Sequence, residues 1–251
     1  MRINITMPVY NTPPNWLRRA VNSVLCQTQQ CWKLLMLNDG STNVDTVELL
    51  DQIKFLLPEK IKVIDSPINE GIAVTRNKLL DHLDDDCEFV ALFDHDDVMY
   101  NDRLEKQLRY FETHDVDFLG GQIDPGVMDD MDNTVWKPWK STTHPLIITK
   151  RVVTKSGWFM NNPTVMLKRN VYDKVGKYNT RPDINLTGTE DYEFIIRCVL
   201  AGMKIHNLPD ALVKYRLSQT QAGSKNTDLA KKIGKEIFDN FMNQIKQQNT
   251  N

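Results

Sequence analysis

The 251-residue chain lacks any apolar run near the roughly eighteen residues that span a bilayer, which predicts no membrane span. Its opening residues, Met1 to Pro8, turn polar too soon for a signal peptide. Cysteine is scarce: Cys26, Cys31, Cys87 and Cys198 form no CxxC pair and no zinc spacing, so reduced thiols in a cytoplasmic protein are expected. Net charge is also small, at −2. With 41% hydrophobic and 25% charged residues, the chain suits one large α/β domain with a sizeable core.

The small net charge hides an asymmetry. From Asp81 to Asp132 there are 17 acidic against 3 basic residues; from Asn133 to Arg181 there are 10 basic residues against Asp173 alone. Two readings stand: a solvated surface whose charges offset each other, or an acidic metal-gathering half beside a basic half that receives an anion.

Hydrophobic spacing alternates between two periods in the first half. Ile3–Met7 reads as a strand ended by Pro8, and Trp16 to Leu25 has helical spacing behind Pro13-Pro14. Leu34–Leu37, Ile61–Ile64 and Phe89–Phe93 are short apolar strands; Val44–Leu57, Gly71–Leu83 and Asp102–His114 are helical. Such alternation predicts a mostly parallel, Rossmann-like sheet flanked by helices, with ligands bound beyond the carboxyl ends of the strands. That places Pro8-Val9-Tyr10-Asn11, Asn38-Asp39-Gly40-Ser41, Ser66 to Asn69 and Asp94-His95-Asp96-Asp97 on one rim. In the second half, Gly120–Pro145 reads as loop, Thr164–Leu167 and Leu212–Tyr215 as strands, and Tyr192–Leu200 and Asp228–Gln247 as helices.

Asp94, Asp96 and Asp97 close a buried strand. Two carboxylates about 4 Å apart repel by roughly 4 kcal/mol at an effective dielectric of 20, and the next basic residue is Arg103. Hard oxygen ligands select Mg²⁺ or Mn²⁺, which commonly bridge one or two carboxylates to substrate phosphates. A helix N-cap accounts for Asp97 alone.

These segments resemble, in order, the motifs of the family 2 glycosyltransferases of GT-A fold. Ile5 to Asn11 is similar to the family's first strand and nucleotide loop, and Asn38 to Ser41 to its second-strand acidic loop. Asn69 to Asn77 is similar to its Asn-x-Gly…Arg-Asn segment, Asp94-His95-Asp96 to its DxD motif, and Thr189-Glu190-Asp191 to its acceptor-side acidic motif. The resemblance implies nucleotide-sugar contacts at Pro8, Val9, Tyr10, Asn11, Asp39, Asn69, Gly71, Arg76 and Asp94, a Mn²⁺ or Mg²⁺ on Asp94 and Asp96, and Asp191 as catalytic base. It implies transfer of a sugar from a nucleotide-diphosphate sugar to an acceptor hydroxyl by inverting displacement. One GT-A domain is expected over 1–220, with a nucleotide-sugar-binding half at about 1–115, an acceptor-binding half at 116–220 and a C-terminal helix in 221–251.

Residue chemistry fits those roles. Tyr10 offers a flat face to a base, Asp39 accepts from its ring N–H, and the N–H groups where Asn69 and Gly71 begin a helix favour anionic groups. Arg76 reaches either the diphosphate or a neighbouring aspartate. Where family members carry a histidine two residues after Tyr-Arg, Ser218 follows Tyr215-Arg216-Leu217 here. The expected acceptor is a saccharide. The alternatives are an anionic acceptor such as nucleic acid, suggested by Trp136, Trp139 and Trp158 among the lysines, or a module that binds nucleotide sugars without turning them over.

Overall fold

The computed structural model describes residues 2–126, 160–217 and 227–248. Strands β1 (Ile3–Val9), β2 (Trp32–Asp39), β3 (Ile61–Ser66) and β4 (Phe89–Leu92) alternate with helices α1 (Pro14–Leu25), α2 (Val44–Lys54) and α3 (Ile72–Leu80). β1 is buried at every position and β2 at nearly every one, so both read as continuous apolar runs rather than alternating ones. The pairs β1–β2, β1–β4 and β2–β3 are parallel, which delivers four loops to one edge of the sheet.

The second half contributes β5 (Val98–Met99), α4 (Arg103–Thr113), β6 (Phe118–Gly126), β7 (Met166–Lys168), α5 (Asn170–Val175), α6 (Pro182–Thr187), α7 (Glu190–Leu200), β8 (Ile205–Arg216) and α8 (Thr227–Gln248). The sheet order is β3-β2-β1-β4-β7-β6-β8-β5. β7 runs antiparallel to both neighbours and β5 antiparallel to β8, so the parallel character belongs mainly to the first half.

The core lies on both faces of this sheet. Ala91 joins Ile3, Ile5, Leu17 and Leu104 on one face, while its neighbours Val90 and Leu92 join Ala73, Phe118 and Phe194 on the other. Ile233, Ile237 and Phe241 of α8 belong to that second face. Burying such side chains contributes about 1.5–3 kcal/mol each, enough to hold α8 against the body. No helix among the described residues is long and apolar enough to cross a membrane.

Several expected boundaries move. β1 runs through Pro8 to Val9. Thr6 O accepts from Phe93 N on the β4 side at 3.1 Å, and Pro8, two residues on, faces the same way where β4 has ended, so its missing donor breaks no ladder. α2 stops at Lys54 rather than Leu57, since Pro58 disfavours the α conformation before it. Of Gly120–Pro145, expected as loop, residues 120–126 belong to strand β6 and the rest lies outside the described residues; a Cβ at Gly120 would lie 2.1 Å from Met160 Sδ and 2.4 Å from Asn207 Oδ1, so close packing favours a residue of poor strand propensity there. Thr164 falls in a short 3₁₀ turn, and the strand begins at Met166. β8 begins seven residues before Leu212, across Pro209.

Candidate active site

β4 ends at Leu92, and buried Phe93 leads into the aspartate loop. Two supports hold that loop. His95 Nδ1 lies 2.8 Å from Thr12 Oγ1, tying it to the segment after β1. Arg216, at the end of β8, donates its backbone N–H to Asp97 Oδ1 and its Nε to Asp96 O, both at 2.8 Å, while its guanidinium stacks 4.2 Å from the Trp16 ring centre. Asp97 is fully buried, and its Oδ2 has no partner among the described residues. Asp94 and Asp96 retain partial exposure.

The loops after β1 and β2 grip each other. Asn11, in the left-handed region at φ +46°, accepts from Thr42 N and Asn43 N at 2.7 and 2.9 Å. Its side chain is therefore occupied within the protein. Pro8 and Val9 are buried in β1, which leaves Tyr10, at 44% exposure, as the accessible member of that segment. Asp39 is 4% exposed and accepts from Glu70 N at 2.9 Å and Gly71 N at 3.0 Å; Asn69 donates to Asp39 O at 3.3 Å.

The N-terminus of α3 departs from expectation. Gly71 N is taken by Asp39 and Ala73 N by Asn185 Oδ1 at 2.8 Å, so these groups are capped by the protein rather than presented to an anion. Arg76, further along α3, is likewise engaged within the protein. It is only 6% exposed, and its Nε lies 3.3 Å from Glu190 Oε1 while its Nη2 lies 3.5 Å from Asp94 Oδ1. The Asn162 amide oxygen, in the orientation that satisfies both partners, accepts from Arg76 Nη2 at 2.8 Å and Nη1 at 3.2 Å. Arg76 thus joins the aspartate loop to the start of α7, where Asp191 sits.

Burial shapes the acids here. It pushes Glu190 up to about 7, with the Asp191 charge adding and Arg76 opposing. Asp191, Asp96 and Asp97 are all raised, each first by burial. Arg103, fully buried beneath the loop, is driven down to about 9 by desolvation against the pull of Asp94 and Asp97. It donates to Leu92 O at 2.8 Å and Val165 O at 3.2 Å, holding the strand end that displays Asp94.

Five carboxylates (Asp94, Asp96, Asp97, Glu190, Asp191) gather here with Arg76, Arg103 and Arg216, and burial disfavours the charge on four of the acids, a penalty that a bound cation would offset. Among the described residues, no three His, Cys, Asp or Glu side chains form a ready metal cage. The donor set fits an ion that takes Asp94 and Asp96 and completes its shell from phosphate and water, the habit of Mg²⁺.

Sequence reasoning named Glu190 and Arg216 within motifs without giving them a role, and missed Asn162 and Asn185. Glu190 was signalled by its place beside Asp191; Asn162 and Asn185 carried no signal. Glu193 and Arg197, one turn apart on α7, pair at 2.9 Å. Trp136, Trp139, Trp158, the acidic stretch Asp129 to Asp132 and Ser218 lie outside the described residues. Of the described basic segment, Lys168 pairs with Asp117 and Lys177 with Asp81 of the acidic block, while Arg181 pairs with Asp183 and Glu236 outside it.

The model of the family described as "Glycosyl transferase family 2" matches residues 4–176. "Uncharacterized glycosyltransferase MJ1057" of Methanocaldococcus jannaschii is 26% identical over 216 residues, covering 86% of this chain and 70% of its own. The structure of S. aureus TarS 1–349 in complex with UDP-GlcNAc superposes with a TM-score of 0.68 at 19% identity, covering 97% of this chain and 72% of that one. Against the longer TarS structure, this chain spans 37% of the length. The mannosyltransferase PcManGT from Pyrobaculum calidifontis, in complex with GDP-Man and Mn²⁺, gives 0.64 at 15% identity, covering 88% and 58%. At such identities the structural likeness is one of fold, and it is the expected GT-A arrangement.

Proposed function

The chain belongs to glycosyl transferase family 2 and is a glycosyltransferase, and from that premise we propose that it transfers a sugar from a nucleoside-diphosphate donor to an acceptor hydroxyl with inversion. The observation that carries the reading is Arg76, which spans Asp94 and Glu190 and so sets the start of α7 against the aspartate loop. In this reading about 1–115 binds the donor and 116–220 the acceptor, with the helical tail in 221–251 as support.

Tyr10 is the exposed platform for the base. Asp39 remains an acceptor for it, because a carboxylate offers about four lone-pair sites and only two are used by Glu70 and Gly71. Asn69 and Gly71 then act by shaping the loop, and Pro8, Val9 and Asn11 by holding Tyr10 in place. The acceptor oxygen bonds to the anomeric carbon as its proton passes to Asp191, and the bond to the diphosphate oxygen breaks with its electron pair leaving on phosphate. Burial raises Asp191 toward the range where a carboxylate is a useful base. Asp94 and Asp96 would hold a Mn²⁺ or Mg²⁺, which when bound would supply charge neutralisation for the leaving diphosphate.

A saccharide is the favoured acceptor, since Lys168, Lys177 and Arg181 are already paired within the protein and leave less of the basic segment for a polyanion. The test is thermal stabilisation by UDP-, GDP- and dTDP-sugars with and without Mn²⁺. Selective, Mn²⁺-enhanced stabilisation that is lost on Asp96→Ala is expected. A uniform lack of response across the panel would sink the reading.

A further inference from the structure

Asn185 lies outside every motif of the sequence, yet it is where the second half of the chain touches the donor loop. Its Oδ1 accepts from Ala73 N at 2.8 Å, and its Nδ2 donates to Glu70 O at 2.6 Å. Asp39 takes the N–H groups of Glu70 and Gly71 from the other side. Residues 70–73 are therefore held between two side chains that are 146 positions apart in sequence. Gly71 at φ +88° is required by this arrangement, because a Cβ there would fall 2.3 Å from Asn185 Nδ2.

The brace behind Asn185 is equally defined. It sits in α6, whose Ile184 is buried in the same core cluster as Ile233, Ile237 and Phe241 of α8. Arg181, just ahead of α6, reaches Glu236 of α8 at 2.8 Å. Behind Asn185 stand apolar contacts worth several side chains of burial, whereas the exposed Arg181–Glu236 pair adds little.

We propose that Asn185 is a positioning residue for the nucleotide. Through it, α6 and α8 hold the Glu70–Ala73 loop closed over Asp39, so the acceptor-side half sets the affinity of the donor-side half. The inference rests on the donor reading above and deepens it. Without Asn185, the Glu70 carbonyl and the Ala73 N–H return to water, the loop gains freedom and Asp39 loses its fixed orientation. Coupling of this kind is reciprocal: nucleotide bound over Asp39 tightens the α6 contact as much as the contact tightens nucleotide.

The experiment compares wild type, Asn185→Ala and Asn185→Asp by calorimetric titration with UDP and with GDP, each with Mn²⁺, and by hydrogen exchange at Gly71 and Ala73. Asn185→Asp keeps the acceptor for Ala73 N–H but sets an oxygen against Glu70 O, and it reads the clamp if the alanine variant does not fold. About a tenfold weaker Kd for the nucleotide that wild type binds, faster exchange at both amides, and kcat at saturating donor within about twofold are expected. Variants with wild-type Kd, or with a lowered Tm and unchanged exchange at Gly71 and Ala73, would overturn the clamp alone. Wild type that binds neither UDP nor GDP, nor dTDP in the same titration, would overturn the donor reading and the clamp with it.

Discussion

Arg76 Nε lies 3.3 Å from Glu190 Oε1, a contact between α3 in the first half of the chain and α7 in the second. Both side chains are almost fully buried, so the pair is not screened by solvent as a surface bridge is. Removing one partner leaves the other as an uncompensated internal charge, which costs about 3–5 kcal/mol. Arg76→Met is accordingly expected to lower unfolding stability by about that much in urea, with the slope against denaturant unchanged. Adding Glu190→Gln to it should return a substantial part. Additive losses in the double variant would show that the two groups do not interact.

Glu190 also gives a pH signature. Its folded pKa of about 7 stands above the ordinary 4.5, so the folded state binds the proton more tightly than the unfolded chain. Stability then falls as pH rises from about 4.5 to about 7, and is flat in this respect above that window. The full effect is about 3 kcal/mol at about 1.36 kcal/mol per unit. In metal-free buffer, Glu190→Gln minus wild type should therefore rise across the window, whatever constant offset the substitution adds. Parallel curves would remove Glu190 as the source.

How much of this was readable in advance differs between the halves. Ile5, Leu35 and Ala91 lie in parallel strands buried on both faces, and such strands announce themselves as apolar runs ending in polar loops. Asp39, Arg76, Asp94 and Asp191 followed from those ends together with motif order. β6 and β8 were obscured because Gly120 and Gly121, set against Met160, Asn207 and Leu212, and exposed Pro209, at the break in the β6–β8 register, all have poor strand propensity. The capped start of α3 was illegible for a different reason: Asn185, more than a hundred residues away, supplies the partner, and no local pattern encodes it.

Gly40 offers a test of how tightly the rim is built. It holds φ +65°, and a Cβ there would come within 2.4 Å of Ile68 C and 2.5 Å of Asn69 N. Left-handed backbone alone costs a substituted residue about 1–2 kcal/mol, and here the clash is with backbone that cannot swing aside. Gly40→Ala should lower Tm and weaken UDP or GDP binding at least about fivefold by displacing Asn69 from Asp39. Unchanged nucleotide affinity would mean that the two loops shift together without consequence for the site.

Asp191 separates binding from chemistry. It opens α7 beside Glu190, and burial lifts its pKa with Asp94 adding to the rise, so the two carboxylates act on each other across the site. Asn at this position keeps the shape and removes the proton acceptor. Asp191→Asn is expected to leave donor Kd within about twofold while transfer falls by ~10²–10⁴-fold, the usual contribution of a positioned base. Burial and Asp94 hold Asp191 above its ordinary pKa, so a neutral Asn removes a folded-state penalty that outweighs the lost attraction to Arg76, and Tm should rise or hold rather than fall. Transfer at the wild-type rate would move the base elsewhere, and Glu190 would be the next residue to neutralise.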